Sequence, residues 1–543
     1  MQKTFRKVLS VLLTALLLLP MGATLLRANA AGLTPVIYFH GDEAVFRRCE
    51  DGSAYELFDD GEYMQQIMDE ALPLAAKAVI SGDWSEYSAK ILEIVSPAFE
   101  PFAPAPDGSL PADTGINDWE EQARWPSFYL QDGRPVYMFH SDFRMSPMDI
   151  ADDAARYIET VKARTGASKV IVSGRCGGAS LMAAYLYKYE KPTDYANVEG
   201  VVFINSSAQG TEYADALMSG NVKIPANGGY RFLRNLDSYE VIRDNPIDEQ
   251  LISAIKTTIE MLHETYGINV TVELVNRIYE KVKDTLIAPI IREYWGISGS
   301  YVASTVCDYY EDFKDYVFPT AEDKALYAPI LAKMDDFHYN VQQNLRDDIL
   351  AMKAAGASVN VFAEYGSQQY PLNEKTEYVG DYMLSVEDQS FGATVAKVDG
   401  TLDEAYIKAQ EEKGLGKYIS PDKQIDASTC LLPDNTWFIK NMIHEFPYQL
   451  DNLICEVLQN PANTVDSIEK YPQYLNYQKD DSLLRPLEAE NENDMEWENP
   501  DPGSGTRGFI EIVRGLLEKL VAFIKGIING IIGHAKGTVP PVE

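Results

Sequence analysis

The sequence predicts an α/β fold, a doubly wound and mostly parallel sheet, on three observations. Short apolar runs rich in β-branched residues recur between segments of helical periodicity: Pro35–Gly41, Val136–His140, Val170–Ser173, Val198–Ile204 and Val359–Ala363. Such runs read as strands buried on both faces. The strands and helices alternate, which implies right-handed crossovers with a site at the carboxyl ends of the strands. One run passes through a glycine-flanked turn, Gly174-Arg-Cys-Gly-Gly178, straight into the apolar helical segment that begins at Ala179.

That turn organises the rest of the chain. A nucleophile on a sharp strand-to-helix turn sits in a strained conformation, and side chains two residues to either side would collide, so glycines flank it. The turn aims the N–H of Gly177 at a reacting carbonyl and opens a helix whose N-terminal dipole favours negative charge. In a chain with 36 glycines, G-x-C-x-G alone is weak. The strand before it and the helix after it supply the required context. The bland alternative is a glycine-rich turn around a small buried cysteine.

In chain order, residues 1–30 read as a secretory signal peptide. Lys3, Arg6 and Lys7 precede an apolar run from Val8 to Leu19, and Ala28-Asn-Ala30 forms a small-residue cleavage site. The formal charge of −35 becomes −39 once the leader's Lys3, Arg6, Lys7 and Arg27 are removed, and such a surface repels nucleic acid and bare anionic membranes. Five cysteines leave one for chemistry and four others, Cys49, Cys307, Cys430 and Cys455. Their wide spacing favours free thiols over a disulfide framework.

The main folded body is expected over 31–480. His40-Gly41-Asp42 follows the first strand and is placed to supply a second oxyanion donor, through the backbone of Asp42 or its neighbour. Helical spacing within 59–102 (Ile67, Met68, Ala71, then Ile91, Leu92, Ile94) predicts a two-helix insertion closed by the Pro-rich run 97–111. Ser146-Pro147 predicts the start of a helix that ends at Gly166. From 211 to 355 long helical patterns without a strand predict a helical lid. The aromatic stretch Tyr301–Tyr310 fits helix–helix core better than an acyl pocket.

Residues 481–506 read as an acidic Pro/Gly linker. Residues 507–536 hold an amphipathic helix that is apolar except along Glu511, Arg514, Glu518, Ala522, Lys525 and Asn529. Charges at mid-helix cost about 2.5–3.5 kcal/mol each in a bilayer, so this helix is expected along a membrane surface, the cell envelope or a partner, rather than through a membrane.

A thiol with an ordinary pKa is only a few per cent ionised at neutral pH, so Cys176 needs a base. In this strand order the acid and then the histidine follow the nucleophile. His444 is the histidine after residue 338 within the folded body, and Asp381, in a glycine turn past the strand at Val359, is the acid. Asp388 and Glu364 are its rivals. The expected site is therefore Cys176, His444 and Asp381, with Gly177 and Asp42 at the oxyanion position and neither metal nor cofactor.

On Phe39-His40-Gly41, Asp142-Phe-Arg144, Ser146-Pro147, Gly174-Arg-Cys-Gly-Gly178, Ser206-Ser-Ala-Gln-Gly210, Asp381 and His444, the chain resembles the α/β-hydrolase superfamily, and within it the branch of lecithin:cholesterol acyltransferase and secreted lipases. That family is serine-based. Cys176 departs from it and is similar to the Cys–His–Asp site of dienelactone hydrolase. The resemblance implies a secreted acyl hydrolase or acyltransferase acting through an acyl-enzyme on an ester or lipid-like substrate. Two other readings are a catalytically altered surface protein serving as a binding module, and a thiol peptidase. Chain order weighs against a papain-like peptidase, because Cys176 is far from the mature start.

Overall fold

Strands in this chain form where alternate residues can be buried against two layers of helix, and the result is one nine-stranded sheet. The computed structural model describes residues 33–41, 47–48, 66–100, 103–111, 114–115, 123–235, 268–305, 307–444 and 450–489. The expected leader, Asp42, Cys49, His263 and the helix of 507–536 lie outside these residues. So does the linker beyond residue 489.

The strands of this sheet are β1 (Val36–Phe39), β2 (Phe128–Tyr129), β3 (Pro135–Phe139), β4 (Val170–Cys176), β5 (Val198–Ser206), β6 (Ser358–Tyr365), β7 (Thr436–Lys440), β8 (Tyr474–Gln478) and β9 (Leu483–Pro486), and three two-stranded sheets lie outside it among the described residues. Their order across the sheet is β9-β8-β7-β6-β5-β4-β1-β3-β2. The seven inner strands, β8 to β3 in this order, run parallel, and β9 and β2 close the two edges antiparallel.

Side chains alternate across each strand, so the sheet separates two cores. Ile37, Phe39, Val170, Val172, Val201, Phe203, Val359 and Val361 face one core. Val36, Tyr38, Ile171, Val202, Ile204, Phe362, Trp437 and Ile439 face the other. Trp437 is wholly buried, and its indole N–H donates to the Tyr471 carbonyl at 3.1 Å.

The helices that position the site follow from local signals. An insertion after β1 holds α1 (Leu72–Ser81) and α2 (Ser85–Phe99). After β3, α3 (Pro147–Thr165) starts on Ser146, whose side chain accepts from the Met148 N–H at 3.2 Å, and it stops at Gly166 with φ +72°. Its buried stripe, Ile150, Ala154, Tyr157, Ile158 and Val161, packs on the first core. α4 (Gly177–Tyr185) follows β4 without a break and is buried along its full length.

Between β5 and β6 the described chain is helical: α5 (Glu212–Met218), α6 (Ala226–Arg234), α7 (Ile268–Val282), α8 (Tyr310–Val317), α9 (Ala328–Asp336) and α10 (Leu345–Ala354), with shorter α, 3₁₀ and π segments between. Tyr310 is fully buried in this helical layer and stacks on His338 at 3.8 Å, which agrees with the core reading of that stretch. After β7, α11 (Asp451–Leu458) covers the second core.

Two features depart from expectation. The body does not give way to linker at residue 481, because β8 and β9 extend the sheet to Pro486. β8 is buried on both faces, Tyr474 toward one cluster and Leu475 and Tyr477 toward another, and the acidic neighbourhood hid it. The short edge strand β2 also carries no signal of its own, since two residues are too few for a period.

Candidate active site

The site forms at the carboxyl ends of β4, β6 and β7. Cys176 ends β4 and caps α4 with φ +49° and ψ −128°, a conformation costly for a side-chain-bearing residue. The glycines around it are sterically required. A Cβ on Gly178 would stand 2.1 Å from the Phe39 carbonyl oxygen, and one on Gly174 would stand 2.7 Å from the Ala179 Cα. The same contacts press the end of β1 against the turn: a Cβ on Gly41 would lie 3.3 Å from the Gly178 nitrogen and 3.5 Å from that of Gly177. Gly177 thus opens α4 beside the loop expected to complete an oxyanion hole. Asp42, the other expected donor, lies outside the described residues.

His444 follows β7 in a left-handed conformation, φ +52°, and is buried. Its Nδ1 lies 2.8 Å from Asp381 Oδ2. Asp381 is wholly buried and sits just past Gly380, where a Cβ would meet the Leu384 carbonyl oxygen at 2.3 Å. Its other oxygen, Oδ1, accepts from the N–H groups of Met383 at 3.1 Å and Leu384 at 2.6 Å. These bonds leave Oδ2 for the imidazole. The rival acids are engaged elsewhere: Asp388 accepts from Ser385 Oγ at 2.8 Å, and Glu364 from Asn205 Nδ2 at 2.7 Å.

Burial opposes a charge on His444, but Asp381 and then Cys176, by charge and by hydrogen bond, outweigh it and raise the ring's pKa to about 10. Nδ1 is taken by Asp381, so the interaction with sulfur falls to Nε2. Cys176, half-buried, His444 and Asp381 therefore converge from positions 268 and 63 residues apart.

Sequence reasoning missed Arg175. This residue is buried beside the nucleophile, and its Nη2 donates to the His444 carbonyl oxygen at 2.6 Å. The strand that carries the sulfur thereby holds the loop that carries the imidazole. No local pattern marks that role, because donor and acceptor meet only in the fold. Tyr382 was missed as well. Its ring stands 5.6 Å from that of His444 and 5.8 Å from Tyr370, which in turn meets Tyr213 of α5 at 5.8 Å and Phe232 of α6 at 5.7 Å. This aromatic chain joins the histidine to the first two helices of the insertion.

Cys430 and Cys455 are buried free thiols, and burial raises both. Among the described residues no group of three or more His, Cys, Asp or Glu side chains is arranged to hold a metal ion. In the same residues no helix is long and apolar enough to cross a membrane.

The strand order, the strained residue between β4 and α4, and the glycine contacts define an α/β-hydrolase fold. No family model matches the chain, and no curated protein does. Solved structures do align. A carboxylesterase from Nitrososphaera gargenis is 12% identical, with 64% of this chain and 78% of that one covered and a TM-score of 0.19. The Tle4–Tli4 complex is 13% identical, with 66% and 89% covered and a TM-score of 0.25. The prohormone-processing carboxypeptidase KEX1 of Saccharomyces cerevisiae is 11% identical, with 64% and 68% covered and a TM-score of 0.19. With scores this low, the fold assignment rests on the chain's own topology.

Proposed function

We propose that the protein is an exported acyl hydrolase or acyltransferase that uses Cys176 as nucleophile, His444 as its proton partner and Asp381 to hold the ring. The observation that carries this reading is the buried Asp381–His444 hydrogen bond beside a cysteine held at positive φ. The raised histidine favours an imidazolium facing sulfur, and that charge favours attack by sulfur as the thiolate. Sulfur attacks the ester carbonyl carbon, and the Gly177 N–H is placed to steady the oxyanion. Collapse breaks the bond to the leaving oxygen, which takes the proton from Nε2 of His444 and departs as the alcohol. Water or an acceptor alcohol, deprotonated by the now neutral ring, attacks the thioester. Its breakdown releases the acid or the new ester and returns the proton to the couple.

The resemblance to the lecithin:cholesterol acyltransferase and lipase branch supports an ester substrate, and the lid and the helix of 507–536 are the proposed means of reaching an interface. The test is hydrolysis of p-nitrophenyl butyrate with mass spectrometry of the trapped thioester. Wild type should turn over and carry the acyl mass on Cys176. Cys176→Ala should lose at least about a hundredfold in kcat/KM. Equal activity in Cys176→Ala sinks the nucleophile assignment, and no activity in either form favours the binding-module reading.

A further inference from the structure

Three glutamines are buried around the loop that carries Asp381, and two of them spend their amides fully. Gln368 accepts from Arg231 Nε at 3.1 Å and donates to the Gly228 carbonyl at 2.8 Å. Gln389 accepts from the Glu364 N–H at 2.7 Å and donates to the Glu364 carbonyl at 3.0 Å. Gln369 is as deeply buried as these, yet neither its Nε2 nor its Oε1 meets a protein hydrogen-bond partner. A bare buried amide works against folding, and a site tolerates it where another group satisfies it during function.

Its position agrees with that role. The Gln369 Cγ would stand 3.3 Å from a Cβ on Gly380, the residue before Asp381. Its neighbours in sequence, Gln368 and Tyr370, both reach the insertion helices, through Gly228 and Arg231 and through Tyr213 and Phe232. Gln369 thus lies in the layer between the acid of the reactive couple and the helices above it. Beside the nucleophile, Ser207 donates its N–H to the Cys176 carbonyl at 3.3 Å, and its buried Oγ has no protein partner either.

We propose that Gln369, with Ser207, binds a hydrogen-bonding group of the substrate, and that the substrate is a polar ester carrying a hydroxyl or amide within a few atoms of its carbonyl rather than a plain hydrocarbon ester. This rests on the acyl-transfer reading above and narrows it. A site built to hydrogen-bond a substrate group discriminates strongly against the analogue that lacks it.

The test uses full-length wild type, Gln369→Leu and Ser207→Ala on two matched pairs, each normalised to hydroxide hydrolysis: p-nitrophenyl N-acetylglycinate against p-nitrophenyl butyrate, and glycerol monobutyrate against n-propyl butyrate. Wild type should prefer the polar member of at least one pair by about tenfold or more in kcat/KM. Gln369→Leu should bring that ratio to within about threefold of unity while raising Tm, since it deletes a bare buried amide. A structural amide would give the reverse, a lower Tm and equal losses on both esters, and would overturn the proposal. So would a polar preference that survives the substitution, or no preference in either pair. Should no ester turn over, the acyl-transfer reading fails separately. In that case N-acetylglycinamide should still raise the Tm of Cys176→Ala protein, and failure to do so, or an equal rise in the Cys176→Ala, Gln369→Leu double variant, overturns the site.

Discussion

Arg175 contributes nothing to the reacting bonds, yet its 2.6 Å hydrogen bond to the His444 carbonyl is the direct link between the strand bearing sulfur and the loop bearing the imidazole. His444 occupies a left-handed conformation that its own backbone does not favour, so an external tether is needed to hold it there. Removing the guanidinium should let the ring drift, and misplacement of a catalytic group by about 1 Å costs about a hundredfold. We predict that Arg175→Met lowers kcat by about 10- to 100-fold with KM within about twofold. It should also slow alkylation of Cys176 by iodoacetamide at pH 6, where a His444 raised to about 10 is protonated and faces sulfur. Arg175→Lys should recover part of both. A melting temperature lowered with an unchanged alkylation profile would make Arg175 a purely structural residue.

At the scale of elements, the turn between β4 and α4 is fixed by contacts that tolerate no side chain. A Cβ on Gly178 would stand 2.1 Å from the Phe39 carbonyl oxygen, and that acceptor is backbone of the neighbouring strand, which cannot swing aside. Gly178→Ala should therefore destabilise by about 3 kcal/mol, the upper end of overpacking costs, seen as a lower urea midpoint, and should abolish the strained presentation of Cys176. An unchanged midpoint would mean that the strands can part at no cost. This turn was readable in the sequence because every part of it is local: β-branched run, glycines, apolar helix. The caps of α3 were readable for the same reason, and Ser146 and Gly166 stand where their chemistry put them. His444 and Asp381 followed from chain order combined with glycine turns. What stayed hidden depends on distant pairing. Arg175 finds its acceptor 269 residues away, and Gln369 is told apart from Gln368 only by which amide the fold leaves bare. The strands β8 and β9 were hidden by the acids around them, although neither strand carries one and their pairing sets Leu483–Pro486 at the sheet edge.

At the scale of the whole molecule, Asp215, Asp388 and His444 share one direction of pH dependence, while His338, lowered to about 4 by burial, acts with the opposite sign only below about pH 6.5. Asp215 of α5 is buried, and burial first, then Glu212 nearby, raise its carboxyl to about 8 against the opposing pull of Lys375. Asp388 is raised to about 8 by burial and by that same charge. An unfolded aspartate releases its proton near pH 4, so between about 4 and 8 the folded chain holds a proton that the unfolded chain has lost. Stability from these groups is thus full below about pH 4 and declines as pH rises through 8. His444 has the same sign, since its pair with Asp381 favours the imidazolium: its contribution is complete below about 6.5 and is lost as pH rises through about 10. The two effects add in one direction on a chain whose formal charge is already −35 at pH 7. The melting temperature should accordingly fall by about 5 °C or more between pH 6 and pH 9. Asp215→Asn keeps the shape and removes the titration, so it should match wild type at about pH 4 and exceed it at pH 9. If the two proteins melt together at both pH values, Asp215 does not hold its proton in the fold, and the junction of α5 with the loop carrying the acid does not govern the molecule's response to alkali.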